Sequence, residues 1–346
     1  MSEFLEEFLN ENPREMSGGD GRSVVVAAFG KHPGWNDHLE ENADALDLGV
    51  RTPSLVWTKS LLYEQGVGRN IDTGSWDKLD PGHRLEEFRH QFFWHGPTGK
   101  IVGSMWSSRD GKGRARYPMV LAAHAVGTHR VWTIDTVLGR LDSLRRECVE
   151  SETARQVAAA LDRTRADLRS AVAESGRSQR SLSPLLAEFV KHPQFGIEHE
   201  GLLRVCYQLQ GQVGPYARGH YSLKGARSSR SQSIRVPAAG RDAVAVFTAW
   251  IQLIRLFVDP EVPVLLIWPE RESWLDIIIG QPAPDDLVCL RISAIGHPCA
   301  SDIPFNLDPA FRTEMRLRLD AMVRCEPLKP AGSAVSRFFG SLFGRS

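Results

Sequence analysis

Two short blocks of this chain combine charge, imidazole and glycine at spacings that could do chemistry. The first is Gly30-Lys31-His32-Pro33-Gly34-Trp35-Asn36-Asp37-His38. Imidazole and carboxylate suit zinc or iron, but no further strong ligand stands at fixed spacing from His32, Asp37 and His38, so no metal or cofactor is expected. The second runs from Ser107 to Pro118 and carries Arg109, Lys112, Arg114 and Arg116 around Asp110-Gly111. Arginine's planar fork takes a carboxylate bidentately, so Asp110 and Arg114 are expected to pair and fix the loop's shape. On that reading Gly30, Pro33, Asp110, Gly113, Arg114 and Pro118 carry geometry, while Lys31, Trp35, Asp37, Arg109 and Lys112 meet a partner. The same composition would also serve a solvated hairpin tip.

The elements that must position these blocks are legible in the hydrophobic pattern. Val24–Ala28 reads as a strand running straight into the first block. Phe88–Trp94, Ile101–Trp106 and Met119–Val126 read as an antiparallel meander, with residues 96–99 as one turn and Asp110-Gly111 in the other connection. Residues 52–65 look helical, as do 135–172, 183–191, 200–212, 242–258 and about 309–323. Val262–Trp268 and Trp274–Ile279 form a second strand pair, and Ser233–Val236 a further strand. Grouped strands separated by grouped helices predict an α+β fold, largely antiparallel, with a helical insertion at about 135–212. Residues 213–233 are rich in Gly, Ser and Arg without a period and are expected to be a flexible basic loop.

Taken together the two blocks resemble the TagF family of type VI secretion accessory proteins. The carriers are Gly30, Lys31, Pro33 and Asp37 after a strand, then Ser108, Asp110, Gly113, Arg114, Tyr117 and Pro118. Leu266-Ile267-Trp268 is a looser echo near the end of the family domain. His38 stands where the family usually has an aromatic, and one extra residue separates Arg114 from Tyr117-Pro118, so this would be a divergent member. The resemblance implies a cytoplasmic, non-enzymatic repressor acting after translation, in part by engaging a forkhead-associated scaffold protein. The competing reading is a hydrolase or metal-dependent enzyme using the 31–38 and 107–114 loops.

Composition narrows the classes further. The chain has 346 residues, with 42 basic and 42 acidic side chains, so no general affinity for nucleic acid is expected. Five dispersed cysteines without a Cys-x-x-Cys pair read as reduced thiols. The acidic start is unlike a secretory signal, and no apolar run reaches the roughly twenty residues of a membrane span. No nucleophile elbow, P-loop or dinucleotide fingerprint is present. Charge is segregated locally: acids gather between Asp37 and Asp47, while Arg204, Arg218, Lys224, Arg227, Arg230, Arg235 and Arg241 gather where acids are absent. Opposite patches of this kind can steer a partner. Residues 1–22 read as an acidic helix on a leash, residues 23–326 as the globule, and 327–346 as a linker and amphipathic tail. That tail aligns Val335, Phe338, Phe339, Leu342 and Phe343 on one helical face, as a docking helix would.

Overall fold

The interior strand β5 (Pro118–Val126) is buried along its whole length, which is why it reads as a continuous apolar run rather than an alternation. Its neighbours are β1 (Ser23–Gly30) on one side and β4 (Gly99–Ser107) on the other. β2 (Leu46–Leu48), β3 (Arg89–Gly96), β6 (Gln232–Pro237), β7 (Val264–Pro269) and β8 (Trp274–Ile279) complete one sheet, in the order β2-β1-β5-β4-β3-β7-β8-β6. Every pair is antiparallel. The computed structural model describes residues 21–33, 46–96, 98–176, 180–218 and 230–326.

The expected α+β architecture with an antiparallel sheet between helices is therefore present. Two differences come from long-range pairing. The second strand pair joins the first meander because β7 lies against β3, with Phe92 opposite Ile267 and Trp94 opposite Leu265. The short edge strand β2 has no hydrophobic period of its own and forms only against β1.

Helices cover both faces. On one face lie α2 (Gly139–Glu150), α3 (Ala154–Ala171), α4 (Leu182–Val190), α5 (Glu200–Gln212), α6 (Ala243–Ile254) and α7 (Pro309–Val323). They bury a core with Phe93, Val102, Leu121 and Ala123 of the sheet. On the other face, α1 (Pro53–Thr58) continues into a π-helix at Lys59–Gly68. With the 3-10 segment Pro284–Arg291 it packs on Phe92, Trp94, Ile101, Val120 and Ala122. Alternate strand residues thus feed opposite cores, as the period of two requires.

The expected helical stretch 135–172 is broken at Ser151–Thr153. There Thr153 Oγ1 accepts from the Gln156 amide at 3.3 Å, and Gln156 Oε1 accepts from the Thr153 amide at 3.0 Å. This reciprocal capping box starts α3 afresh. In the expected basic loop, residues 213–218 and 230–233 are built into the globule: Tyr216 is 1% exposed and its hydroxyl donates to the Arg230 carbonyl at 3.2 Å. Residues 219–229, the acidic segment 1–20 and the tail 327–346 lie outside the described residues. No helix among the described residues is long and apolar enough to cross a membrane.

Candidate functional site

Both sequence blocks leave the same end of the sheet. Gly30 is opposite Met119 in the β1–β5 ladder, and Ser107 is opposite Pro118 in the β4–β5 ladder. Gly30 has φ +105, and a Cβ there would sit 2.4 Å from the Pro118 carbonyl oxygen. Only glycine lets β1 close on β5 at that point. The Lys31 amide then donates to the same carbonyl at 3.1 Å, so the strand pairing carries Lys31 over the neighbouring loop.

Asp110 is the hub. It is 2% exposed. Oδ1 accepts from the backbone amides of Lys112 at 3.0 Å and Arg114 at 2.9 Å. Oδ2 accepts from Arg114 Nε at 2.6 Å and lies 3.5 Å from Lys31 Nζ. The loop closes through Gly113 N to Asp110 O at 2.9 Å and Asp110 N to Arg114 O at 3.2 Å, with Gly113 at φ +79. Burial alone would raise the Asp110 carboxyl, but donation by Arg114 and Lys112 outweighs it and holds the group below its ordinary value. The expected Asp110–Arg114 pair is present, and the second block's acid binds the first block's lysine.

The rest of the connection is pinned to the helical side. Arg116 Nη2 meets Asp77 Oδ2 at 3.1 Å, and the Tyr117 hydroxyl reaches Asp72 Oδ1 at 3.5 Å. Phe29, Tyr63 and Tyr117 form a ring chain, with centroids 6.0 and 5.8 Å apart. Pro118 is buried and Pro33 exposed. Arg109 and Lys112 are exposed, as a partner-facing pair would need. Trp35 and Asp37 lie outside the described residues.

His32 is 1% exposed, and its Nε2 bonds the Cys148 carbonyl at 3.2 Å. Burial lowers the imidazole's pKa. Burial also pushes the Cys148 thiol up, to about 12. This histidine bonds the cysteine's backbone carbonyl, and burial favours the protonated thiol over the thiolate that a nucleophile needs. Among the described residues no group of three histidines, cysteines or carboxylates is placed to hold a metal ion.

Two charged features escaped sequence reasoning. Arg235, grouped by sequence with a basic surface patch, is 1% exposed. Its Nε and Nη2 donate to Asp276 Oδ1 and Oδ2, both at 2.8 Å, and its guanidinium lies 3.5 Å over the Trp274 ring centroid. Burial pushes the Asp276 carboxyl up, and Arg235 opposes that shift. Arg204 also leaves the patch, lying 3.8 Å from Glu200. The Arg235–Asp276 signal is cross-strand register, β6 against β8, which spacing along the chain does not reveal. The second feature is a cluster of half-buried cations at the far end of the sheet. Compared with known proteins, the chain matches no family model and no curated protein.

Proposed function

We propose that the chain is a non-enzymatic accessory protein of a type VI secretion system, regulating assembly after translation by binding a protein partner in the cytoplasm. The observation that carries this reading is the state of Asp110. Its carboxylate accepts from two backbone amides and the Arg114 guanidinium and pairs with Lys31. A buried acid so occupied, and held below its ordinary pKa, is a shaping group rather than a proton acceptor in turnover. What the motif holds in place is a loop edge displaying Arg109 and Lys112 to solvent. Fixed cationic groups of this kind favour fast, salt-sensitive association with an acidic partner surface.

The motif residues also support the TagF-like reading, in which the partner is the forkhead-associated scaffold. The protein would then act by occupancy, so its amount sets secretion activity. Overproduction should lower assembly of the contractile apparatus, and deletion of the gene should raise it or remove a delay. Counting assembled sheaths in cells with each change tests this, and unchanged assembly in both would end the regulatory reading.

A further inference from the structure

The sheet end opposite the motif loops gathers cations of a different kind. His95 and Lys100 face each other across the β3–β4 ladder, on either side of its turn. Arg130 follows β5, and Arg255 follows α6. Arg255 Nη2 lies 2.9 Å from His95 Nδ1 and 3.0 Å from the Val262 carbonyl, and Nη1 donates to the Asp259 carbonyl. Arg130 Nη2 donates to Gln252 Oε1 at 2.9 Å, one helical turn before Arg255. Each of these contacts is to a neutral acceptor.

Arg130 Nε is buried without an acceptor. Among the described residues Lys100 makes no ion pair or side-chain hydrogen bond. Arg130 repels both Lys100 and Arg255, and burial together with the three cations keeps His95 from taking a proton. His129 feels Arg130 and Lys100 as well. Asp259 is the acid in range: its backbone carbonyl accepts from Arg255, and its charge partly offsets the effect of burial and Arg130 on that guanidinium. Burial, then Arg130, draws the Lys100 ammonium down to about 8. Burial, then Arg255, draws His95 down to about 3, so it stands neutral and accepts from Arg255.

Three half-buried cations that converge with a single carboxylate among the described residues, Asp259, in range raise the energy of the unliganded state, and a bound anion relieves it. We propose that Lys100, Arg130 and Arg255, steadied by His95, bind a multiply charged phosphate group. Two planar forks and one point charge approaching from separate elements match a tetrahedral dianion better than a single planar carboxylate. Arg218, exposed at the rim and 3.4 Å from the Arg255 carbonyl through Nη1, adds attraction at longer range.

The test uses the full chain with sodium pyrophosphate, followed by calorimetry and thermal unfolding against sodium chloride at matched ionic strength. A saturable heat and a rise in melting temperature are expected with pyrophosphate alone. Lys100→Met and Arg130→Gln should each weaken binding about tenfold or more. Without ligand, Lys100→Met should melt at or above the wild type, because it removes repulsion; a lysine needed for structure would melt lower. That variant keeps the test decisive if Arg130→Gln does not fold. A parallel arm sediments the protein with phosphatidylcholine vesicles bearing a phosphatidylinositol bisphosphate. Response to pyrophosphate but not to vesicles assigns a soluble ligand. Vesicle binding competed by pyrophosphate and lost in Lys100→Met assigns a lipid headgroup. No saturable response to either, or one unchanged in both variants, overturns the site.

Discussion

The two ends of the central strands carry positive charge in opposite ways. At the motif end Lys31 and Arg114 converge on the buried carboxylate of Asp110, at 3.5 and 2.6 Å. At the far end Arg130 and Arg255 donate to neutral acceptors, and Lys100 joins them with no side-chain partner among the described residues. The first arrangement is satisfied within the chain, so its cations set shape. The second is incomplete within the described residues and gains from an external anion. Burial of a charge is a statement about structure when its partner is internal, and about binding when the partner is absent.

The sharpest way to break this contrast is to remove the internal partner. Asp110→Ala strands two backbone amides and two cations, and should cost about 2–4 kcal/mol in chemical denaturation. A cost below about 0.5 kcal/mol would mean that the loop is shaped by turn chemistry alone. Acid should act in the same direction. Because the folded Asp110 carboxyl lies below its unfolded value, its contribution is complete above roughly pH 4 and fades as pH falls through the folded value. Asp110→Asn should therefore flatten the acid limb of the stability profile relative to wild type.

Smaller effects sharpen the comparison. The Arg114 side chain is 49% exposed, so Arg114→Ala should cost only about 1 kcal/mol after solvent screening. Lys100→Met at the far end should shift stability upward by a few tenths of a kcal/mol, the opposite sign for a removed cation. If both lysine and arginine variants destabilise equally, the two ends do not differ in the way described.

The motif end was largely legible in the sequence because its contacts are local. Asp110 and Arg114 are four residues apart, and glycine at 30 and 113 marks backbone that other residues resist. Lys31 differs from its expected place facing a partner: it is 9% exposed and pairs with Asp110, because both blocks leave strand ends beside β5. The Thr153-x-x-Gln156 helix start lies inside the stretch read as a single helix, because the apolar period runs on across it. The far end was not legible. His95, Lys100, Arg130 and Arg255 are brought together by the β3–β4 ladder, the exit from β5 and the end of α6, and each sits in an unremarkable local sequence. Arg235 misled for the same reason, since its acid partner arrives from β8. Local turn chemistry can be read from spacing, whereas charge balance across a sheet depends on register.

The motif loops leave Arg109 and Lys112 exposed, and the proposed function makes this pair the contact for a protein partner. Calorimetric titration of the chain with a forkhead-associated scaffold protein, the proposed partner, for wild type and for Arg109→Ala combined with Lys112→Ala, tests this most directly. Affinity should fall about tenfold or more in the double variant, with the melting temperature unchanged, and wild-type binding should weaken as salt rises. Full affinity in the double variant, independent of salt, would contradict the account.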